Sequence, residues 1–209
     1  DSAQLRAGGL DVEEIAGGPF VLQLPAVFHA VERLRDRGAS IIFAEPCGSS
    51  ARLRSNIVEA CAKHYAGKID VAPLTVMVDA VCAARLLRLD SGPTFSEKLS
   101  YIFRKQIEEA EIVVLNKCNL LPVSLIAQLH KSLSEIAPEA TVFTVSVRNN
   151  EGLNEWVNCL MTKEHTSSAA APTDREVFRD AEALLGWLNC TIKVSSVKYF
   201  DAEKLLTDL

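Results

Sequence analysis

The 209-residue chain is 48% apolar and carries a formal charge of −5, with a pI near 5.5, so it can bury the core of one large domain. This acidic balance excludes the broad basic footprint used to hold nucleic acid or an anionic membrane surface. Phosphate-bearing small molecules stay open, because local backbone amides hold them whatever the net charge.

No apolar run approaches the ~20 residues that cross a bilayer, and no charged-then-apolar start resembles a signal peptide. The chain therefore reads as soluble, intracellular and cytoplasmic. It starts at Asp1 rather than methionine, so a segment of a longer product is expected. The six cysteines (Cys47, Cys61, Cys82, Cys118, Cys159 and Cys190) stand singly, which suits reduced, packed thiols rather than a disulfide framework. The four histidines, His29, His64, His130 and His165, are equally scattered, against a zinc site built from local pairs.

The first predicted element is a helix over 24–37, with Leu24, Val27, Phe28, Val31 and Leu34 on one face and Gly38 as its stop. "IIFA" (41–44) then reads as a short strand covered on both faces. A helix follows at about 51–66, closed by Gly67, then the strand "LTVMV" (74–78), a helix at about 96–110 and the strand "IVVL" (112–115). The same alternation continues with a helix from Pro122 to about Ile136, the strand "VFTV" (142–145) and a helix near 152–161. Buried strands alternating with amphipathic helices predict an α/β fold with a parallel sheet and right-handed crossovers.

"KEHTSSAAAPTD" (163–174) lacks apolar periodicity and reads as a linker. Thr173 and Glu176 then stand in capping-box spacing before a helix carrying Val177, Ala181, Leu184, Leu185 and Leu188. "TIKVSSVKYF" (191–200) reads as a strand, and Asp201 as the cap of a final short helix. The expected organisation is a partial α/β domain over 1–162, a linker over 163–174 and the start of a smaller C-terminal α/β domain over 175–209.

Ligands of open parallel sheets bind beyond the carboxyl ends of the strands. The predicted strands end there in E-P-C-G (45–48), Asp79, N-K-C-N (116–119) and S-V-R-N-N-E-G (146–152). In E-x-x-G the Gly48 amide can approach a terminal phosphate with no Cβ in the way, and Glu45 can orient Mg²⁺, directly or through water. Asn116 and Lys117 match the start of the N-K-x-D motif by which GTPases hold a base. Ser146, closing the fourth strand, offers a backbone N–H to the base carbonyl.

The run from "EPCGS" through "VAPLTVMVDA" to "YIFRKQIEEAEIVVLNKCNLLP" resembles the CobW/HypB/UreG family of metal-handling P-loop GTPases. "AEALLGWLN" resembles the start of the C-terminal region in its CobW-like branch. The resemblance implies a P-loop NTPase-like fold and hydrolysis of GTP, or another nucleoside triphosphate, with Mg²⁺. It also implies delivery of a metal, or maturation of a metal cofactor such as cobalamin, and a metalloenzyme or corrinoid-protein client or a homodimer as partner. On it, Glu45 and Gly48 would serve the Mg²⁺ and terminal phosphate, and Asn116, Lys117, Asn119 and Ser146 the base.

The sequence departs from that family in three places. No G-x-x-x-x-G-K-[ST] loop is present; the one Gly-Lys pair, Gly67-Lys68, is followed by Ile69 and lacks the earlier glycine. In "EIAGGPFVL", Pro19, Val21 and Leu22 stand where the family's C-x-C-C has cysteines, so no thiolate is supplied and loss of the transition-metal site is expected. Asn119 replaces the aspartate that accepts both guanine donors, which predicts weakened guanine preference, since an amide can instead donate to adenine or xanthine. Isolated, the segment is expected not to turn over nucleotide, and the alternative reading is a non-catalytic scaffold for a protein partner.

Overall fold

The computed structural model describes residues 2–16, 20–48, 50–93, 95–166, 174–185, 195–196, 201 and 204. At its centre lies a parallel sheet of β1 (Thr75–Asp79), β2 (Ile112–Asn116) and β3 (Thr141–Thr144), in that order. Thr75 pairs with Ile112 and Asp79 with Asn116, while Ile112 to Leu115 pair with Thr141 to Thr144. β2 is central, and Ile112, Val113, Val114 and Leu115 are all fully buried. An unbroken apolar run is what a strand covered on both faces needs.

Side chains alternate across β2. Val113 and Leu115 face a layer made by α4 (Ala80–Leu86), the end of α5 (Glu97–Glu108) and α6 (Val123–Ile136), through Ala80, Ala83, Ala84, Ile107, Leu129 and Leu133. Ile112 and Val114 face the opposite layer, with Leu153, Trp156 and Leu160 of α7 (Leu153–Thr162). Each fully buried Leu or Ile contributes on the order of 1.5–3 kcal/mol of transfer free energy. The expected α/β parallel sheet with flanking helices is thus present.

Several helical elements precede β1 among the described residues. Helix α2 (Leu24–Asp36) starts with Pro25 in its first turn and buries Val27 and Ala30. Gly38 follows its end at φ +95°, a conformation glycine adopts without steric cost. Phe28 stacks on His64 at 4.0 Å, and the Tyr65 hydroxyl donates to the Phe28 carbonyl at 3.1 Å. These contacts join α2 to α3 (Glu59–His64), which continues a wider π-helical turn over Arg54–Val58. A further helix, α1 (Ser2–Ala7), has no counterpart in the sequence reading.

The "IIFA" expectation is overturned. Residues 41–44 pair with none of the three strands, and Ile41 and Phe43 are exposed, Phe43 at 84%. An apolar run becomes a strand only when another strand satisfies its N–H and C=O ladder, and local sequence cannot supply that partner. Helix α4 was missed. Asp79 caps it, accepting the Val81 and Cys82 N–H groups at 2.8 and 3.1 Å, and Ala80, Ala83 and Ala84 let it sit close on the sheet.

The other elements fall within a few residues of expectation, as boundaries generally do. Beyond the sheet, helix α8 (Arg175–Leu185) packs on α5, where Lys98 pairs with Asp180 at 2.7 Å and the Tyr101 hydroxyl accepts the Asp174 N–H at 2.7 Å. Asp174 caps this helix, accepting the Glu176 and Val177 N–H groups at 3.0 and 3.2 Å. Thr173 and the expected strand positions 191–194 and 197–200 lie outside the described residues. Asp201 caps as expected, accepting the Lys204 N–H at 3.1 Å. No described helix is long and apolar enough to cross a membrane.

Candidate nucleotide-base site

The carboxyl end of β2 turns sharply, because Lys117 adopts φ +64°. A lysine in this left-handed region costs on the order of 1–2 kcal/mol. The turn is held by Asn116, whose Oδ1 accepts the Lys117 N–H at 2.7 Å and the Val147 N–H at 3.2 Å. Cys118 is buried beneath it, its N–H donating to the Val145 carbonyl and its thiol to the Leu115 carbonyl, which ties the N-K-C-N loop to the end of β3.

Ser146 is 1% exposed and lies where the chain leaves β3. Its hydroxyl donates to Asn119 Oδ1 at 2.8 Å and accepts the Asn149 N–H at 3.3 Å. Its backbone N–H, expected to face a base, instead donates to the Glu151 carbonyl at 3.0 Å, while Glu151 N–H donates back to the Ser146 carbonyl. That small bridge closes the S-V-R-N-N-E loop and leads into Gly152, at φ +71°. A Cβ at Gly152 would lie 2.3 Å from the Thr144 carbonyl oxygen.

Lys117 Nζ pairs with Asp79 Oδ2 at 2.7 Å, linking the ends of β1 and β2. Burial pushes the Asp79 carboxyl up, but the Lys117 ammonium and the Cys82 and Val81 N–H groups hold it below its ordinary value. Asp79 in turn raises the Lys117 ammonium. The four residues expected at the base, Asn116, Lys117, Asn119 and Ser146, are therefore in one hydrogen-bonded cluster across two adjacent strand ends. Asp79 joins it, and its signal in the sequence was its place at the end of an apolar run.

Glu45 and Gly48 are not part of that cluster. Glu45 is exposed, and the Gly48 carbonyl accepts the Gln106 side-chain amide at 2.8 Å. Gln106 lies near the end of α5, which leads to the amino end of β2. The base loop leaves the carboxyl end, four strand steps away, or roughly 13 Å at ~3.3 Å per residue. No described hydrogen bond or ion pair joins residues 45–48 to 116–119.

Mg²⁺ is commonly held by one or two carboxylates together with waters and substrate phosphates. An exposed Glu45 suits the water-mediated form of that contact, and no other carboxylate of E-x-x-G accompanies it. At the positions of the family's metal-binding cysteines this chain offers a transition metal no thiolate. Val21 and Leu22 carry hydrocarbon side chains, Pro19 lies outside the described residues, and no group of three or more His, Cys, Asp or Glu that could hold a metal occurs among the described residues.

An open parallel sheet whose middle strand ends in N-K-x-N, folded onto the end of the next strand, defines a P-loop NTPase-like nucleotide-binding domain. The chain belongs to the CobW/HypB/UreG family, whose nucleotide-binding domain matches residues 20–144. That span includes E-P-C-G and N-K-C-N and ends at the last residue of β3. A comparison with curated proteins found no match.

Proposed function

We propose that the chain is the base-binding part and C-terminal start of a CobW-like GTPase, in which nucleoside triphosphate hydrolysis drives delivery of a metal or metal cofactor to a client. The Asn116–Lys117–Asn119–Ser146 cluster carries this reading. In it Asn116 holds the loop shape, the Lys117 stem covers the face of the base and Asn119 reads its edge. Glu45 and Gly48 serve Mg²⁺ and the terminal phosphate once a phosphate loop completes the site. The domain proceeds to residue 162, and 175–209 begins a second unit.

Asn119 Oδ1 already accepts the Ser146 hydroxyl proton at 2.8 Å. Guanine presents two donors to this position, and the amide meets one of them with a donor of its own. A mismatched buried donor costs ~1–3 kcal/mol, roughly ten- to hundredfold in affinity. The metal step proceeds without the C-x-C-C thiolates, so the cargo is held elsewhere or by the client.

The test is competition by GTP, ATP and XTP against a fluorescent nucleotide on the native gene product, with hydrolysis followed in parallel. Binding that Asn116→Ala abolishes supports the reading. A native product that binds no nucleoside triphosphate refutes it and favours the scaffold alternative, to which the hydrocarbon side chains at the family's cysteine positions also point.

A further inference from the structure

A buried polar network lies away from the base cluster, at the amino end of the sheet. Glu111, just before β2, is almost wholly buried, its side chain 2% exposed. Its Oε2 accepts the Leu74 N–H at 2.8 Å and lies 2.7 Å from His165 Nδ1. Its Oε1 accepts the Thr166 N–H at 2.7 Å and the Thr166 hydroxyl at 3.0 Å. Lys163 adds contacts from its Nζ to the Glu111 carbonyl and to Thr141 Oγ1, at 3.4 and 3.3 Å. Residues 163–166, which lack any apolar pattern, are thus fastened to the sheet, His165 and Thr166 by the Glu111 carboxylate and Lys163 by the Glu111 carbonyl and Thr141.

Arg54 approaches the same point from the other side. Its guanidinium donates to the Thr166 carbonyl at 2.7 Å and to the Thr166 hydroxyl at 3.0 Å, and it lies 3.7 Å from Glu111. Arg54 sits at the end of a run that begins in E-P-C-G. Along that run Gln106 donates to the Gly48 and Ser50 carbonyls, both at 2.8 Å, and the Arg52 N–H donates to Glu109 Oε1 at 2.6 Å. Residues 48–54 are therefore stitched at several points to the end of α5, the helix on which α8 also packs.

We propose that residues 163–166 form a strap, latched on Glu111, through which Arg54 couples the segment following E-P-C-G to the chain leaving α7. Such coupling is reciprocal: whatever loosens one side must loosen the other by the same factor. The latch itself requires no nucleotide. Taken with the reading of Glu45 and Gly48 above, it carries the state of that loop to the chain leaving α7.

Amide hydrogen exchange on the full chain, without nucleotide, tests the coupling from both ends. Arg54→Met is expected to speed exchange of the Thr166 amide by about tenfold or more, as expected when a hydrogen bond to a charged group is lost. Thr166→Val, an isosteric change on the strap, is expected to speed exchange across 52–56 while leaving the β2 amides protected. Should either variant act only on its own side, with β2 protection intact, the coupling is overturned. If Arg54→Met fails to fold, Thr166→Val alone decides. Because no ligand enters the measurement, a protein that binds no nucleotide refutes the proposed function and leaves this result standing.

Discussion

Asn116 Oδ1 lies 3.2 Å from the Val147 nitrogen, so one side-chain oxygen joins the loop leaving β2 to the loop leaving β3. The same oxygen accepts the Lys117 N–H and so supports its left-handed turn. The Asn119–Ser146 bond and the Lys117–Asp79 pair add further ties at the same strand ends.

Replacing Asn116 with Ala removes both bonds and should destabilise the chain by ~1–3 kcal/mol. Asn116→Asp keeps an acceptor oxygen in the same place and should retain most of that stability. Urea unfolding of the two variants checks this, and equal loss in both would show that the bonds do not carry the effect.

Gly152 should tolerate no side chain. Its φ of +71° is unfavourable for an L-residue, and a Cβ would meet the Thr144 carbonyl oxygen at 2.3 Å. Gly152→Ala should cost at least ~2 kcal/mol, read as a lowered midpoint of thermal unfolding.

The residue at 119 should set base choice in the native product. Asn119→Asp restores two acceptor oxygens and should raise the ratio of GTP to XTP affinity by roughly ten- to hundredfold. Competition titrations on both forms measure the ratio. A wild-type protein that already strongly prefers GTP would show that Asn119 does not read the base edge.

Two buried carboxylates should give opposite pH dependences. Burial pushes both up. At Glu111 the Thr166 and Leu74 N–H groups and the His165 ring outweigh burial, and the carboxyl is held below its ordinary value. Arg54 also faces it, and Lys163 reaches the Glu111 backbone carbonyl. At Glu109 burial outweighs the N–H groups of Arg52, Leu53 and Arg54, and the carboxyl stays above its ordinary value.

Glu111 therefore contributes stability that is complete above the unfolded carboxylate value and lost as pH falls through its folded value. Glu109 contributes stability at low pH that is lost as pH rises from the unfolded value toward its folded one. Urea midpoints between about pH 3 and 7 should rise less steeply in Glu111→Gln and more steeply in Glu109→Gln than in the wild type. Identical slopes in all three proteins would falsify the assignment.

Much of the fold was legible because its signals are local. β2 is an unbroken apolar run, which fixes it as a central strand, and α6 shows Leu129 and Leu133 at helical spacing. The nearness of the N-K-C-N loop to Ser146 was legible for the same reason: Asn116, Lys117 and Asn119 stand at one strand end within four residues, and Ser146 follows the next strand. Helix α4 was less so, because Ala80, Ala83 and Ala84 make a weak apolar stripe although they pack closely.

By itself the sequence determined the alternation of strands and helices and the family, since each rests on residues adjacent in the chain or on regular spacing. Tertiary structure alone decided the fate of "IIFA", which has apolar residues but no partner strand, and the use of the Ser146 N–H, which Glu151 takes. It also decided the Glu111 latch, whose partners Arg54, Leu74, His165 and Thr166 lie far apart in sequence. A backbone group or buried charge must be satisfied somewhere, but which distant atom satisfies it is settled only when the chain has packed.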